Sequence, residues 1–273
     1  MAVLALCSGK SSGVTTSALA LALSSPKPSL LVEADPARGT IRDGYLGSEG
    51  SAAVGMHRLA AADRQGTLAL ELEHHFVSLS QEHNGQRLLL PGLTDPSQAP
   101  SMARTWDPLA TLLGVMDQDG YDVIIDAGRI ACESETRLSN TNYPAPLLRR
   151  ADAVLLVVRN TPASVTSAAP AVRILREELT HNGTGADALA LLVIEEGSLP
   201  SSYLQQLFQV PVIGMLAWDP DTADVLTHGQ YKKTARSLLR SARTAHGTIN
   251  ETVTRRRVRL QPAGTPEAAW RTS

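Results

Sequence analysis

The sequence predicts an α/β fold with a doubly wound, mostly parallel sheet, and three observations support this prediction. Short apolar runs recur along the chain, and they are almost continuously hydrophobic, which is typical of strands covered on both faces. Helix-like segments separate the runs, as expected for parallel strands joined by crossover helices. The 273 residues, 43% of them hydrophobic, suffice for one large α/β domain, or one domain and a tail.

The order of the predicted elements alternates between strands and helices along most of the chain. The predicted strands are residues 2–6, 29–34, 87–92, 122–127, 153–158, 188–194 and 211–216. The predicted helices are residues 15–24, 51–62, 102–117, 164–181, 200–208 and 221–245. Residues 63–86 fit either a short helix or a hairpin, and both alternatives stay open.

The domain is expected to end at residue 249, before a change in composition. Residues 1–249 contain all the predicted strands and helices. Residues 250–273 are rich in arginine and then in proline, glycine and alanine. Such a segment has too few apolar residues to form a packed core, so we expect a basic and largely disordered tail.

Bulk composition limits the classes of function. A net charge of −2 gives the chain no overall attraction to nucleic acid, so such binding would need a local basic patch. The two cysteines, Cys7 and Cys132, are far apart in sequence, which favours a reducing compartment over a disulfide framework. No segment reaches the roughly 18 apolar residues of a membrane span, and the first residues lack the basic start of a signal peptide. We therefore expect a cytoplasmic protein.

The stretch "LCSGKSSGVTTSALALAL", residues 6–23, resembles a phosphate-binding loop between a strand and a helix. Such loops bind phosphate through backbone N–H groups freed by glycine and through the positive end of the following helix. Against the pattern G-x-x-x-x-G-K-[ST], Ser8 replaces the first glycine, Gly13 matches the second, and Thr15 matches the Mg²⁺-binding hydroxyl. Val14 stands where the pattern has lysine, so the cation at that position is missing.

Acidic residues follow two of the other predicted strands. Asp35 comes after the second strand, and Asp126 ends "DVIID" and is followed closely by Gly128. The carboxyl ends of the strands form the ligand-binding edge of open α/β sheets, so we expect these residues to meet the loop there. Asp35 with Pro36 also fits an ordinary turn after a strand. An unpaired buried carboxylate such as Asp126 is costly, which favours a functional role.

Taken together, these segments resemble the ParA/MinD family of P-loop ATPases. That family's loop reads K-G-G-x-G-K-T-T, with a second, signature lysine near its start, and Lys10 lies within about one residue of that place. Some actinobacterial relatives carry the same valine. Four further segments match the family in order: "SLLVEADPARGTI", "YDVIIDAG", "ADAVLLVVRNTPASVTSA" and "VPVIGMLAWDPDTADVLTHG". The resemblance covers roughly residues 1–240 and implies a P-loop NTPase-like three-layer sandwich.

The resemblance also implies ATP and Mg²⁺ as cofactors and a homodimer formed around the nucleotide. Thr15 and Asp126 would hold Mg²⁺, Asp35 would orient the attacking water, and Lys10 would be the signature lysine. An ordinary solvated lysine is the alternative for Lys10. Contacts to the nucleotide are implied for Ser11, Ser12, Gly13, Val14, Thr15, Thr16, Gly128, Asp219 and Pro220.

The valine at position 14 predicts weak or lost ATPase activity. Loss of one preorganised donor at a developing charge typically costs about 3–4 kcal/mol, which slows phosphoryl transfer by orders of magnitude. The favoured hypothesis is a positioning or partitioning factor for DNA or a cell-envelope or secretion assembly, acting with an unknown protein partner. The alternative is a pseudo-ATPase scaffold that no longer binds nucleotide. A small-molecule enzyme of the wider P-loop class is disfavoured by Val14.

A basic segment lies near the end of the predicted domain. Its members are Lys232, Lys233, Arg236, Arg240 and Arg243. Four of them recur at spacings of four, four and three residues, so they share one helix face. This face fits non-specific contact with DNA phosphates, or an ordinary solvated helix surface. A membrane anchor is a weaker alternative, because "RRRVRLQPAG" lacks a bulky apolar face.

Overall fold

An eight-stranded sheet forms the centre of the fold in the computed structural model, which describes residues 2–10, 12–37, 39–47, 53–79, 86–229 and 236–260. The strands are β1 (Val3–Ser8), β2 (Ser29–Glu33), β3 (Val77–Ser78), β4 (Arg87–Leu90), β5 (Asp122–Arg129), β6 (Cys132–Ser134), β7 (Arg137–Leu138), β8 (Ala153–Arg159), β9 (Leu189–Glu195) and β10 (Val212–Ala217). β6 and β7 form a separate two-stranded hairpin.

The sheet has the order β10-β9-β8-β1-β5-β2-β4-β3. All of its pairs are parallel except β3 with β4. The seven predicted strands are confirmed, and β1 lies at the centre between β8 and β5. The predicted class, a doubly wound and mostly parallel sheet, is therefore confirmed.

Helices cover both faces of the sheet. They are α1 (Val14–Ser24), α2 (Met56–Arg64), α3 (Leu68–Glu71), α4 (Trp106–Gln118), α5 (Ala145–Arg150), α6 (Pro162–Asn182), α7 (Ser201–Phe208), α8 (Pro220–His228) and α9 (Ser237–Leu260). Apolar residues of α1, α8 and α9 belong to one buried cluster, and those of α2 and α4 to α7 belong to another. The predicted three-layer sandwich is thus confirmed.

The ambiguous segment 63–86 contains both kinds of structure. After α2 come α3 and a 3₁₀ turn at Leu72–His75, and then β3 pairs antiparallel with β4. Residues 80–85 lie outside the described part of the chain. The helix and hairpin interpretations each apply to part of the segment, because a short strand follows directly after the helical turns.

The single helix predicted over 221–245 is wrong, because two helices occupy this part of the chain. α8 ends at His228, and Gly229 follows with a left-handed φ of 67°. The Asp219 carboxylate accepts hydrogen bonds from the Thr222 N–H, the Ser237 hydroxyl and the Leu238 N–H, so it caps α8 and also holds the start of α9. Burial acts to raise the pKa of Asp219, but these hydrogen bonds outweigh it and lower the pKa to about 2.

The disordered tail expected from residue 250 is wrong for residues 250–260, which continue α9. Val253 is buried in the core. Arg256 Nη2 lies 3.0 Å from Asp187 Oδ1, and Arg257 Nη2 lies 2.8 Å from Asp117 Oδ2. These contacts hold the last turns of the helix against the domain. Residues 261–273 lie outside the described part of the chain.

A buried polar group fastens α9 to the sheet. His246 Nε2 lies 3.0 Å from Asp122 Oδ2 at the start of β5, and the Ser25 hydroxyl donates to the same oxygen over 2.9 Å. Burial acts to raise the pKa of Asp122, but the hydrogen bonds from His246 and Ser25 reverse this effect and lower it. Because α9 also packs on α1, this contact supports the helix that follows the predicted phosphate loop.

Candidate functional site

The predicted phosphate loop lies between β1 and α1, and its described residues are Gly9, Lys10, Ser12 and Gly13. Gly13 immediately precedes α1 and has a left-handed φ of 86°, a conformation that glycine adopts without a steric penalty. A Cβ atom on Gly9 would lie 2.6 Å from the Ser167 carbonyl oxygen of α6, so this glycine permits the loop to pack directly on α6. The loop is thus a tight turn at the carboxyl end of the central strand.

Both neighbouring strand ends meet the loop, as the sequence predicts. Asp126 of β5 is in register with Leu6 of β1, and also with the last residue of β2. Asp126 Oδ1 accepts a hydrogen bond from the Gly128 N–H over 3.0 Å. Gly128 has a φ of 61°, and a Cβ atom there would lie 2.2 Å from Asp35 Cγ. The Asp35 carboxylate therefore packs directly against the Gly128 backbone, close to Asp126.

A cavity of about 690 Å³ opens where these residues meet. Six of the predicted site residues line it, and they are Ser12, Gly13, Val14, Thr15, Asp35 and Gly128. Other parts of the wall come from Pro96 and Ala99, from Arg129 to Ala131 after β5, and from Asn142. The volume lies within the usual range for small-molecule sites, about 300–1,000 Å³.

The electrostatics of Asp126 distinguish it from an ordinary surface carboxylate. Burial raises its pKa to about 7, and the negative charges of Asp35 and Glu33 act in the same direction. The Thr15 hydroxyl and the Gly128 N–H oppose this rise by hydrogen bonding to the carboxylate. A cation at this position would remove the electrostatic penalty of the ionised form, because opposite charge favours a carboxylate.

The donor set fits a magnesium nucleotide. Ser8 Oγ and Asp126 Oδ2 are buried and have no hydrogen-bond partner among the described residues. Within the same residues, no three His, Cys, Asp or Glu side chains converge into a protein-only metal site. Mg²⁺ typically binds through one or two protein oxygens together with water and substrate phosphates. Thr15 and Asp126 would supply protein oxygens of this kind beside the loop.

Other predicted site residues lie apart from the cavity. The Lys10 side chain is exposed and does not line the cavity. Thr16 lines a separate recess of about 80 Å³. Asp219 and Pro220 do not line the main cavity either, and Ser11 lies outside the described residues. The roles of these five residues remain predictions from the family resemblance.

The positive charge in the cavity comes from an unexpected side chain. Val14 is only 6% exposed and belongs to the apolar cluster under α1, although it also contributes to the cavity wall. Arg129 follows Gly128 at the end of β5, is exposed, and is the one cationic residue among the described residues that line the cavity. The sequence gives a weak signal for Arg129, namely an arginine directly after "DAG".

Glu33 proves to be a structural anchor rather than a cavity residue. Its carboxylate accepts hydrogen bonds from the Thr40, Ile41 and Gly92 N–H groups, over 2.6, 2.8 and 3.0 Å. Burial raises the pKa of Glu33, and these three N–H groups act against the rise. The side chain thereby fixes the segment after Asp35 against the end of β4. An acid ending an apolar strand is the signal that the sequence offered.

Tyr143 is another residue that the sequence analysis missed. It is fully buried, its hydroxyl has no hydrogen-bond partner among the described residues, and burial raises its pKa well above the usual value. The charges of Asp35 and Asp126 act in the same direction. Nothing in the polar segment around Tyr143 marks it in the sequence.

The basic face predicted near the end of the domain is partly described. Arg236, Arg240 and Arg243 are exposed, whereas Lys232 and Lys233 lie outside the described residues. Contact with DNA through this face remains a prediction. In the described part of the chain, no helix combines the length and the apolar character that a membrane span requires.

The sheet order, the tight loop after β1 and the acids at the neighbouring strand ends define a ParA/MinD-like P-loop fold. No protein-family model and no curated protein sequence matches the chain. Solved structures do match: MinD, a septum site-determining protein of Pyrococcus horikoshii in complex with Mg-ADP, shares 16% identity at a TM-score of 0.64, covering 92% of this chain and 96% of that one.

Two further structures show the range of proteins with this fold. The McdA–ATP complex from Cyanothece shares 17% identity at a TM-score of 0.62, over 93% of this chain and 96% of that one. Cobyrinic acid a,c-diamide synthase from Mycobacterium smegmatis, with bound ADP and magnesium, shares 16% identity at 0.58, over 92% and 95% of the two chains. At such identities the likeness establishes the fold alone.

Proposed function

We propose that this protein binds ATP with Mg²⁺ in the cavity at the carboxyl edge of the sheet and acts as a ParA/MinD-like positioning factor. One observation supports this most strongly: Gly13, Thr15, Asp35 and Gly128 surround one cavity, beside a buried Asp126 with an unpartnered oxygen. The three nucleotide complexes named above have the same fold, which supports nucleotide as the ligand.

The roles of the residues follow from their chemistry. The Thr15 hydroxyl and Asp126 would hold the metal ion, which neutralises phosphate charge when bound. Backbone N–H groups before α1, together with the positive end of that helix, would bind phosphate oxygens. Asp35, packed against Gly128, would orient a water near the terminal phosphate. Arg129 would supply the positive charge that Val14 does not.

Hydrolysis is proposed to be slow. An exposed arginine is less preorganised than a loop lysine, since it must lose conformational freedom when it reaches a phosphate. Positioning and charge neutralisation account for most phosphoryl-transfer catalysis, so this replacement weakens turnover more than binding. Slow hydrolysis would keep ATP bound for long periods. A dimer formed around the nucleotide would then persist while the protein holds its cargo.

The rival function is a scaffold that does not bind nucleotide. The apolar packing of Val14 favours this alternative, because a buried valine has replaced the most direct phosphate contact of the loop. The scaffold would keep the fold and its surfaces for a protein partner. A small-molecule enzyme would need efficient phosphoryl transfer, which the missing lysine disfavours.

Sedimentation analysis tests the positioning function. We expect the purified chain to be monomeric without nucleotide and dimeric with Mg·ATP, with turnover below about 1 s⁻¹. Mg·ADP is the matched control and is expected to leave the chain monomeric. An unchanged sedimentation coefficient with bound Mg·ATP would contradict the proposed dimer. Rapid Mg²⁺-dependent hydrolysis that survives Lys10→Ala would contradict the proposed slow turnover.

A further inference from the structure

A second cavity, of about 630 Å³, lies at the amino-terminal edge of the sheet, at the opposite ends of the strands from the nucleotide cavity. Its wall comes from the segments that precede β9 and β10, from α6, and from the last turns of α9. Four arginines line this arginine cavity, and they are Arg176, Arg255, Arg256 and Arg259. Asp187 is the one acidic residue among the described residues of its wall.

The positive charge of the arginine cavity is only partly neutralised. Asp187 Oδ1 lies 3.0 Å from Arg256 Nη2, and Asp187 Oδ2 lies 2.6 Å from Arg259 Nη2, so both carboxylate oxygens are used. Arg176 donates to the Phe208 and Gln209 carbonyl oxygens, which are neutral. Four guanidinium charges in this wall thus face a single carboxylate, an excess of three positive charges, although the whole chain is slightly acidic.

Two of the arginines retain donors for a ligand. Arg255 pairs with Glu251 at 3.7 Å, but both side chains are about three-quarters exposed, and such solvated pairs are weak. Arg256 is 7% exposed, and its Nε has no hydrogen-bond partner among the described residues. A buried guanidinium with an unused donor gains from a multivalent anion nearby, since charge-assisted hydrogen bonds are the strong ones.

We infer that the arginine cavity binds a small polyanion that carries at least two phosphate-type groups. Guanidinium groups match phosphate oxygens in geometry and charge. The remaining described wall residues are apolar or uncharged polar side chains, and none of them is aromatic, so the wall offers no aromatic surface for stacking a base. The concave shape and the volume suit a small molecule, whereas duplex DNA needs an open and extended surface.

Two charge-removing variants on the same helix locate the binding. Arg255→Gln with Arg259→Gln removes two exposed cations of the arginine cavity, and Arg240→Gln with Arg243→Gln removes two exposed cations elsewhere on α9. Calorimetry with inorganic tripolyphosphate, in EDTA, is expected to show one site that weakens at least about tenfold in the first variant. The second variant should bind within about twofold of the parent chain.

Several results would overturn this inference. It fails if tripolyphosphate does not bind, or if the two variants weaken binding equally, because that pattern indicates diffuse surface attraction. It also fails if duplex DNA binds through the arginine cavity while tripolyphosphate does not. Retained Mg·ATP binding in the Arg255/Arg259 variant would separate this site from the nucleotide cavity, so either proposal can fail alone.

The same titration distinguishes the sources of such a ligand. Tripolyphosphate and a soluble bisphosphate represent free metabolites, and vesicles containing a polyphosphorylated lipid represent a headgroup. Binding of the soluble probes alone supports a free metabolite at the arginine cavity. Loss of vesicle binding in the Arg255/Arg259 variant supports a headgroup at the same site.

Discussion

Asp126→Asn is expected to raise the free energy of unfolding by about 2–4 kcal/mol at pH 8 and to abolish Mg²⁺-dependent nucleotide binding. The stabilisation follows from the raised pKa of Asp126, about 7, because the native state must hold a buried carboxylate charge above that pH. An asparagine is nearly isosteric and neutral. Urea unfolding, together with calorimetric titration of Mg·ATP, measures both effects in the same protein.

The pH dependence of this stabilisation has a defined sign. Between the unfolded pKa, about 4, and the folded pKa of about 7, the native state binds the proton that the unfolded state has released. The parent chain therefore loses stability from this group as the pH rises through that window. The difference between parent and variant should be largest above pH 7 and vanish near pH 4. A variant less stable than the parent at pH 8 would contradict the assignment.

Asp107→Asn provides the matched control for this experiment. Asp107 lies on α4, is exposed, and pairs with Arg150 at 3.3 Å. Removing one exposed carboxylate of this kind usually changes stability by less than about 0.5 kcal/mol. Nucleotide binding should stay unchanged, since this residue does not line the nucleotide cavity.

Val14→Lys is expected to tighten Mg·ATP binding by about 10- to 100-fold, since a lysine at this position of the loop reaches the phosphates and makes a charge-assisted contact. The same change should lower the free energy of unfolding by about 1–3 kcal/mol without nucleotide, because Val14 is packed in an apolar cluster. Tighter binding together with lower stability would show that the side chain at position 14 now packs in the hydrophobic core. Competition titration measures the affinity, and urea unfolding measures the stability.

Two variants complete this comparison. Val14→Met introduces a side chain of about the same size as lysine but without the charge, and is expected to change the affinity for Mg·ATP by less than about threefold. Arg129→Gln should weaken Mg·ATP binding about tenfold in the parent chain and clearly less in the Val14→Lys background, where the new ammonium group supplies the charge. Equal losses in both backgrounds would show that Arg129 does not compensate for the missing lysine.

The central strands and the meeting of Gly13, Asp35 and Asp126 could be predicted from the sequence. Strands buried on both faces are continuous apolar runs, which can be recognised from the local sequence alone. A parallel sheet then brings their carboxyl ends to one edge. The exposed hairpin of β6 and β7 has no such pattern. Its three- and two-residue strands lie in a polar segment that has no periodicity to detect.

The missed contributions depend on contacts between distant parts of the chain. Gly9 is needed because α6 packs on the loop, and Glu33 is needed because three N–H groups from two later segments point at it. From the sequence, the arginines at the end of α9 are expected in a disordered tail, because their partners, Asp187 and Asp152, lie far back in the sequence. Local sequence patterns predict helices and strands, whereas contacts between distant segments can be identified only when the fold is known.

Calorimetric titration of the parent chain with ATP, in the presence and absence of Mg²⁺, tests the central claim most directly. We expect one nucleotide per chain, with a dissociation constant below ~1 mM and an affinity that falls when EDTA removes the metal. The claim would be contradicted if the folded protein gave no binding heat and no thermal stabilisation at saturating Mg·ATP. That result would favour the alternative function, a scaffold that does not bind nucleotide.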